Sequence, residues 1–153
     1  MTQTVGQLAI RRVPLLAVDE DVGAAVARIV DSGLPALPVT DKGGVLKGIF
    51  GEREFISAIF PGYIGALHYA AFVTKATDEL LDRRAGCRQE PVSKHMNTEH
   101  IDVRPDYSDV QLAEIFLHHR VLIVPVVDGR EVAGVITRSD FFTALATRSA
   151  ARA

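Results

Sequence analysis

The chain contains an internal repeat, and this repeat limits the possible folds more than any other feature. The segment ALPVTDKGGVLKGIFGEREF, residues 36–55, follows the same plan as IVPVVDGREVAGVITRSDFF, residues 123–142. Pro38 and Pro125 occupy the same place in the two copies, and a one-residue difference in the following turn shifts the positions after it. Because one such unit cannot bury its apolar face alone, the two copies are expected to pack together.

Each copy shows the pattern of a β-α-β-β-α unit. Gly33 is the predicted end of the first helix, and Ser108 with Gln111 has the spacing of a capping box in the second copy. A short apolar run, a turn, a further strand and a second helix follow in both copies. Apolar residues mark the two first helices: Val22, Ala25, Val26, Ile29 and Val30, then Leu112, Ala113, Ile115, Phe116 and Leu117.

The predicted fold class is α/β in the mixed α+β sense. Two β-α-β-β-α repeats are expected to pack with pseudo-twofold symmetry, with an extra helix between them. Such packing creates two equivalent clefts, and small ligands tend to bind in clefts of this kind. The predicted boundaries are 10–60 for the first repeat, 61–91 for a helical connector, 92–147 for the second repeat and 148–153 for a flexible tail that frays.

The connector is predicted to be helical from Tyr63 to Arg84. Pro61-Gly62 opens this helix, and Gly86 lies near its end. A helix packed on the pair or on a partner subunit is favoured over any active-site role. The predicted buried face consists of Ile64, Leu67, Ala71, Leu80 and Leu81.

Composition excludes several classes of function. Of the 153 residues, 48% are hydrophobic, and 17 Lys and Arg stand against 19 Asp and Glu. This balance excludes extensive disorder, and the even spread of charge argues against a nucleic-acid partner. No run approaches the roughly 20 apolar residues of a membrane helix, and the N-terminus lacks the basic-then-apolar order of a secretory signal. We therefore expect a cytoplasmic protein that contacts neither nucleic acid nor membrane.

The sequence predicts neither an enzyme nor a metal site. It has no G-x-S-x-G elbow, P-loop or dinucleotide fingerprint. Cys87 follows Gly86 in a polar loop and is predicted to be a free surface thiol rather than a nucleophile. His118 and His119 point in different directions on a helix, and Cys87, His95 and His100 match no zinc spacing. The histidines are His68, His95, His100, His118 and His119.

These features together resemble a known family. A β-α-β-β-α copy with Pro-Val before a turn, and with Gly-Val-Ile-Thr-Arg-Ser-Asp (134–140) opening the second helix, is similar to a CBS domain, and the tandem is similar to a CBS pair, or Bateman module. The resemblance implies a regulatory sensor that binds an adenosine nucleotide (AMP, ADP or ATP) between the repeats. It also implies a homodimer whose geometry an unknown effector protein reads.

The start of the last helix is the predicted ligand site in the second copy. Free N–H groups and the positive dipole end suit a phosphate, and Arg138 adds a charge. The resemblance makes Thr137 the phosphate-contacting position and Asp140 the ribose-contacting position. The alternative is structural, because Thr137-x-x-Asp140 also has N-cap spacing and needs no ligand.

An adenine ring needs an apolar slot, and the strand before the turn is the predicted source. Pro125 lacks an N–H and interrupts the ladder, and Thr98 is predicted to approach the same ring. The alternative for the aliphatic residues is ordinary core. The predicted slot consists of Val121, Leu122, Ile123, Val124, Pro125 and Thr98.

The first copy departs from this pattern. Gly51 stands where the second copy has the Thr137 hydroxyl, and Glu54 replaces the aspartate with a longer side chain. We therefore predict one competent cleft, governed by Asp140. The alternative function is a ligand-free interaction scaffold whose connector helix docks a partner.

Overall fold

The computed structural model describes residues 3–60 and 76–152. Within these ranges the helices are α1 Val5–Ala9, α2 Val22–Ser32, α3 Glu52–Ile59, α4 Ala76–Arg83, α5 Asp109–His118 and α6 Arg138–Ala150. The strands are β1 Leu16–Ala17, β2 Ala36–Thr40, β3 Leu46–Gly51, β4 Ile123–Asp128 and β5 Glu131–Thr137. Two 3-10 turns, Ala85–Gln89 and Val92–Lys94, lie between α4 and α5.

The strands form two small sheets with the same plan. In the first, β1 runs parallel to β2, and β2 pairs antiparallel with β3. In the second, β4 pairs antiparallel with β5, and Val103 makes a parallel bridge to Val126 where the first sheet has β1. The predicted pair of β-α-β-β-α repeats is confirmed.

The leading segment of each repeat, which contains Arg11 in the first and Asn97 in the second, is hydrogen-bonded to the sheet of the other repeat. Arg11 exchanges two backbone hydrogen bonds with Val135 of β5, each 2.9 Å from nitrogen to oxygen. Asn97 makes the same exchange with Ile49 of β3, at 2.8 and 3.0 Å. Arg11 and Asn97 therefore occupy equivalent positions, and each extends a sheet belonging to the opposite repeat.

Each repeat has its own core, and a third cluster joins them. Leu16, Val22 and Phe50 belong to the first core, and Leu112 and Ile136 belong to the second. The joining cluster lies between the two sheets and contains Ala36, Ile49, Ile123 and Val135. Burial of this apolar surface favours the packed pair over separate repeats.

Helix α1 lies against the second repeat, although it precedes the first in sequence. Its Val5 and Ala9 side chains are part of the second core. The carboxylate of Asp109 accepts hydrogen bonds from the N–H groups of Val5 and Gly6, at 3.0 and 2.7 Å. The Tyr107 hydroxyl donates to the Gly6 carbonyl at 2.9 Å. This helix was not predicted, since the first repeat was expected to begin at residue 10.

The helix ends follow the sequence signals. Gly33 takes a left-handed φ of 70° after α2, where a residue without Cβ is least strained. The Ser108 side chain accepts from the Gln111 N–H at 3.0 Å and caps α5. The helix end at Gly33 is confirmed, and of the predicted capping box the contact from the Ser108 side chain is present.

Two predictions of burial are wrong. Leu81, which was assigned to the buried face of the connector helix, is 45% exposed. Val30 and Leu117 are each 75% exposed, so not every apolar residue of the two first helices lies on the buried stripe. Cys87 was predicted to lie at the surface, but it is 2% exposed. The 3-10 turn that contains Cys87 packs against α2. The polar composition of the local loop does not indicate this contact.

The connector and the C-terminal end are described only in part. Residues 61–75, which include most of the predicted connector helix, lie outside the described residues, and α4, Ala76–Arg83, falls within the predicted helical range. At the other end, α6 continues to Ala150, and the flexible tail at 148–153 stays a prediction. Arg148 donates to the carbonyl of Gln3 at 2.7 Å and so links α6 to the N-terminal segment.

Candidate functional site

Thr137 lies where β5 ends and α6 begins. Its Oγ1 accepts a hydrogen bond from the Asp140 N–H at 2.9 Å, so it is the N-cap of α6. The side chain lines a cleft, although the residue is only 4% exposed. A hydroxyl that accepts one hydrogen bond still has its own proton to donate. Thr137 therefore caps α6, and its O–H group can still donate a hydrogen bond to a ligand.

The N-terminus of α6 has fewer free N–H groups than the sequence predicts. The Arg138 N–H donates to the Leu122 carbonyl at 2.9 Å, and the Asp140 N–H is used by the cap. Among the described residues, only the Ser139 N–H of these three has no hydrogen bond. An anion at this helix end therefore depends on side chains as well as on the backbone.

Asp140 forms a two-point ion pair with Arg11. The Arg11 Nε and Nη2 atoms donate to Oδ2 and Oδ1 of Asp140, each at 2.7 Å. The side chains are 46% and 26% exposed, so the pair lies at the mouth of the cleft. A paired fork of this kind is the strongest geometry for an arginine and a carboxylate.

Sequence reasoning missed Arg11 because it lies 129 positions from Asp140. The only sequence signal for this contact was the internal repeat. To use it, one would have to know that the segment containing Arg11 pairs with β5 of the other repeat and so lies beside the start of α6. No local sequence pattern predicts that pairing.

A cleft of about 500 Å³ opens beside this ion pair. Both repeats contribute to it, since the chain leading into β2 faces the start of α6. Its charged groups are Arg11, Arg138 and Asp140, so one positive charge remains without a carboxylate partner in the cleft. The full lining is Arg11, Gly33, Leu34, Pro35, Leu122, Thr137, Arg138, Ser139, Asp140 and Phe142.

The equivalent cleft at the start of α3 has a similar volume, about 500 Å³, but a different charge. Three carboxylates line it, those of Glu52, Glu54 and Glu99, against the two guanidinium groups of Arg53 and Arg120. Burial raises the pKa of the Glu54 carboxyl above its ordinary value. With neutral histidines this cleft is net negative and less suited to a phosphate than the cleft at Asp140.

Gly51 cannot be replaced by a residue with a hydroxyl in this fold. A Cβ atom at this position would lie 2.3 Å from the Pro35 carbonyl oxygen and 2.3 Å from the Ala36 Cβ. That carbonyl also accepts the Glu52 N–H at 2.9 Å, so β2 is held tightly against the start of α3. The hydroxyl absent from the first copy is therefore excluded by packing.

The predicted adenine slot is divided by the structure. Leu122 lines both clefts, but Val121 and Ile123 line only the cleft at α3. Val124 is completely buried in the second core, and Pro125 is buried within β4. Thr98 is exposed and lines neither cleft. Leu34, Pro35 and Phe142, which the sequence analysis did not select, provide apolar surface beside Asp140 instead.

Two further features concern metals and membranes. Within residues 3–60 and 76–152, no three His, Cys, Asp or Glu side chains gather into a group that could hold a metal ion. Among the helices described, none has the length and apolar character needed to cross a bilayer.

The fold and the clefts define a class of protein: two pseudo-symmetric β-α-β-β-α repeats with clefts at the starts of their last helices. The family profile of the CBS domain matches residues 5–61 and 92–147. The chain belongs to the CBS domain family and contains two copies of the domain in tandem.

Solved structures share this fold. A CBS-domain-containing protein from Agrobacterium tumefaciens is 26% identical with a TM-score of 0.68, over 88% of this chain and 90% of that one. A CBS-domain-containing protein from Kribbella flavida is 24% identical with a TM-score of 0.68, over 95% and 99%. CBSX2, crystallised in complex with AMP, is 20% identical with a TM-score of 0.71, over 97% and 99%. No curated protein sequence matches the chain.

Proposed function

We propose that this tandem CBS pair is a regulatory sensor that binds an adenosine nucleotide (AMP, ADP or ATP) in the cleft beside Asp140. The observation that carries the proposal is the Asp140 carboxylate at the start of α6, facing a cleft that both repeats line. The complex of the structurally similar CBSX2 with AMP supports the choice of ligand class.

The cleft offers a partner for each polar part of a nucleotide. The Asp140 carboxylate accepts hydrogen bonds from the two ribose hydroxyls. The Thr137 hydroxyl and the Ser139 N–H donate to the phosphate, and the Arg138 guanidinium supplies charge. None of these groups is arranged as a nucleophile with a base, so the proposed role is binding and signalling rather than catalysis.

Apolar side chains beside these groups are suited to a purine ring. Leu34, Leu122 and Phe142 line the same cleft and come from both repeats. Phe142 is 67% exposed and Leu122 is 42% exposed. Covering them with a purine removes apolar surface from water, which favours binding and draws the two repeats together.

The signal is proposed to pass through a homodimer to an effector protein. Helices α3 and α6 each carry large exposed apolar side chains, Ile56 at 58% and Leu145 at 43%. Because α6 begins at the ligand cleft, a nucleotide that orders its first turn changes the presentation of this face.

Isothermal titration with AMP, ADP and ATP tests the proposal. We expect binding to the wild-type chain and at least a 10-fold loss in Asp140→Asn, because the amide cannot accept from both hydroxyls while its NH₂ group faces a donor. Asp106→Asn is the matched control, since Asp106 is exposed and lines neither cleft. Binding unchanged in Asp140→Asn, or no binding of any of the three nucleotides, contradicts the proposal.

The ion pair itself favours a second candidate, a ligand-free interaction scaffold. Arg11 pairs with both carboxylate oxygens of Asp140 from within the chain. A scaffold would bind its partner equally well with Asp140→Asn and without nucleotide. Size-exclusion chromatography of both forms, with and without AMP, separates the two functions.

A further inference from the structure

Arg11 is held in place by its backbone, so only its side chain is free to leave Asp140. The N–H and carbonyl of Arg11 are both paired with Val135, at 2.9 Å each. The side chain reaches from this edge across the mouth of the cleft to Asp140. A ribose that takes both carboxylate oxygens must therefore displace the guanidinium while the backbone of Arg11 stays where it is.

We infer, on the basis of the proposed nucleotide site, that Arg11 is a specificity-determining residue that excludes uncharged ribosides and admits phosphorylated ones. In the structure its guanidinium pairs with both carboxylate oxygens of Asp140. When a nucleotide binds, the ribose hydroxyls replace it and the released guanidinium turns to the phosphate.

The charges of the cleft carry this inference. Replacing the Arg11 fork by two neutral hydroxyls costs two charge-assisted hydrogen bonds and leaves the Arg11 guanidinium without its carboxylate partner, beside the second guanidinium of Arg138. A nucleoside has no anionic group that could pair with the released Arg11 guanidinium. A phosphate monoester carries a charge of about −1.5 to −2 near neutral pH, so it restores the partner that Arg11 loses. The exchange is therefore favourable only for a ligand with both a ribose and an anionic group.

The cleft at α3 lacks this device. Asn97 stands in the position equivalent to Arg11, since it pairs with Ile49 as Arg11 pairs with Val135. A neutral amide cannot form an ion pair with Glu54. Selection against uncharged ribosides is thus a property of the cleft at Asp140 alone.

Titration of AMP and adenosine into the wild type, Arg11→Ala and Arg11→Lys tests the inference. We expect the wild type to bind AMP well and adenosine poorly. In Arg11→Ala, adenosine is expected to bind about 3-fold more tightly, because an exposed ion pair no longer competes. AMP is expected to bind about 10-fold more weakly, because a charge-assisted contact to phosphate is lost. Arg11→Lys keeps the charge without the fork and is expected to retain most of the AMP affinity.

Arg12→Ala is the matched control, since Arg12 is exposed and does not line the cleft. A thermal melt of each variant first establishes that it is folded. If Arg11→Ala leaves the ratio of AMP to adenosine affinity unchanged while Asp140→Asn abolishes AMP binding, the role of Arg11 is overturned and the nucleotide site stands. If the wild type binds none of AMP, ADP and ATP, the proposed function fails and this inference fails with it.

Discussion

Arg120 occupies in the second repeat the left-handed position that Gly33 occupies in the first. Each lies five positions before the proline of its strand, with φ values of 52° and 70°. Left-handed backbone costs a residue with Cβ about 1–2 kcal/mol, whereas glycine adopts it freely. The two repeats therefore share a backbone turn that only the first makes with an unstrained residue.

This strain predicts that Arg120→Gly stabilises the protein. The relief of the left-handed conformation exceeds the added entropy of the unfolded chain, about 0.4–1 kcal/mol, so we expect a net gain of roughly 0.5–1 kcal/mol. Urea denaturation measures the difference in the free energy of unfolding. Arg130→Gly, in an exposed turn outside the left-handed region, is expected to destabilise. An equal loss of unfolding free energy in Arg120→Gly and Arg130→Gly would show that Arg120 is not strained.

Gly51→Ala is expected to destabilise by about 2 kcal/mol or more, because the new Cβ would overlap backbone atoms that cannot move aside. Gly51→Thr should lower the free energy of unfolding further than Gly51→Ala, and it should not create a nucleotide site at α3. Gly86→Ala is the control, since a Cβ there meets nothing within 4 Å, and its effect should stay within about 0.5 kcal/mol. Thermal unfolding compares the three. A stable Gly51→Thr variant that binds a second AMP would contradict the steric argument.

The carboxyl of Glu54 predicts a pH dependence of stability. Burial raises its pKa in the folded state above the ordinary value of 4.5, so the folded state binds the proton more tightly than the unfolded chain does. The stabilising effect is fully present below the ordinary pKa and is lost as pH rises through the raised one. Glu54→Gln should therefore be more stable than the wild type at pH 7, with the difference vanishing near pH 4.

Urea denaturation of the wild type and Glu54→Gln between pH 4 and 7 measures this difference. Glu52→Gln is the control on the same helix turn, because Glu52 is exposed and its carboxylate favours the helix N-terminus. It should give no stabilisation at pH 7. A pH-independent effect of Glu54→Gln would contradict the assignment to burial.

Thr137→Ala is expected to cost about 1 kcal/mol, because the cap of α6 to the Asp140 N–H is lost. Thr137→Ser retains the hydroxyl and should recover most of that loss. Chemical denaturation measures stability, and AMP titration of the same two variants measures binding. If the hydroxyl serves only as a cap, the serine and alanine variants will bind AMP equally once both are folded.

Much of the local architecture was accessible from sequence. The helix stop at Gly33 and the cap at Ser108 were read from single residues, because each reflects a backbone requirement within one turn. The β-α-β-β-α order followed from periodicity, and the repeat made a paired arrangement necessary. Burial at helix margins was less accessible, as Val30 and Leu117 show, because exposure depends on which neighbour reaches each side of a helix.

The lining of the cleft beside Asp140 was predictable only in part. Thr137 and Asp140 were selected because they share one helix turn, and both line this cleft. Leu34 and Phe142, which also line it, were not selected, and Val124 lies in the second core, because a strand lines a cleft with one face and the core with the other. The choice of face depends on how the two sheets meet.

The amino-acid sequence by itself determined the duplicated unit, its secondary structure and the helix start that carries Asp140. All of these depend on interactions between residues a few positions apart. Only the tertiary structure decided that Arg11 meets Asp140, that β2 leaves no space beside Gly51, and that Cys87 is buried. Those contacts join segments that are far apart in sequence. They depend on how the segments pack in three dimensions, and local periodicity carries no information about that packing.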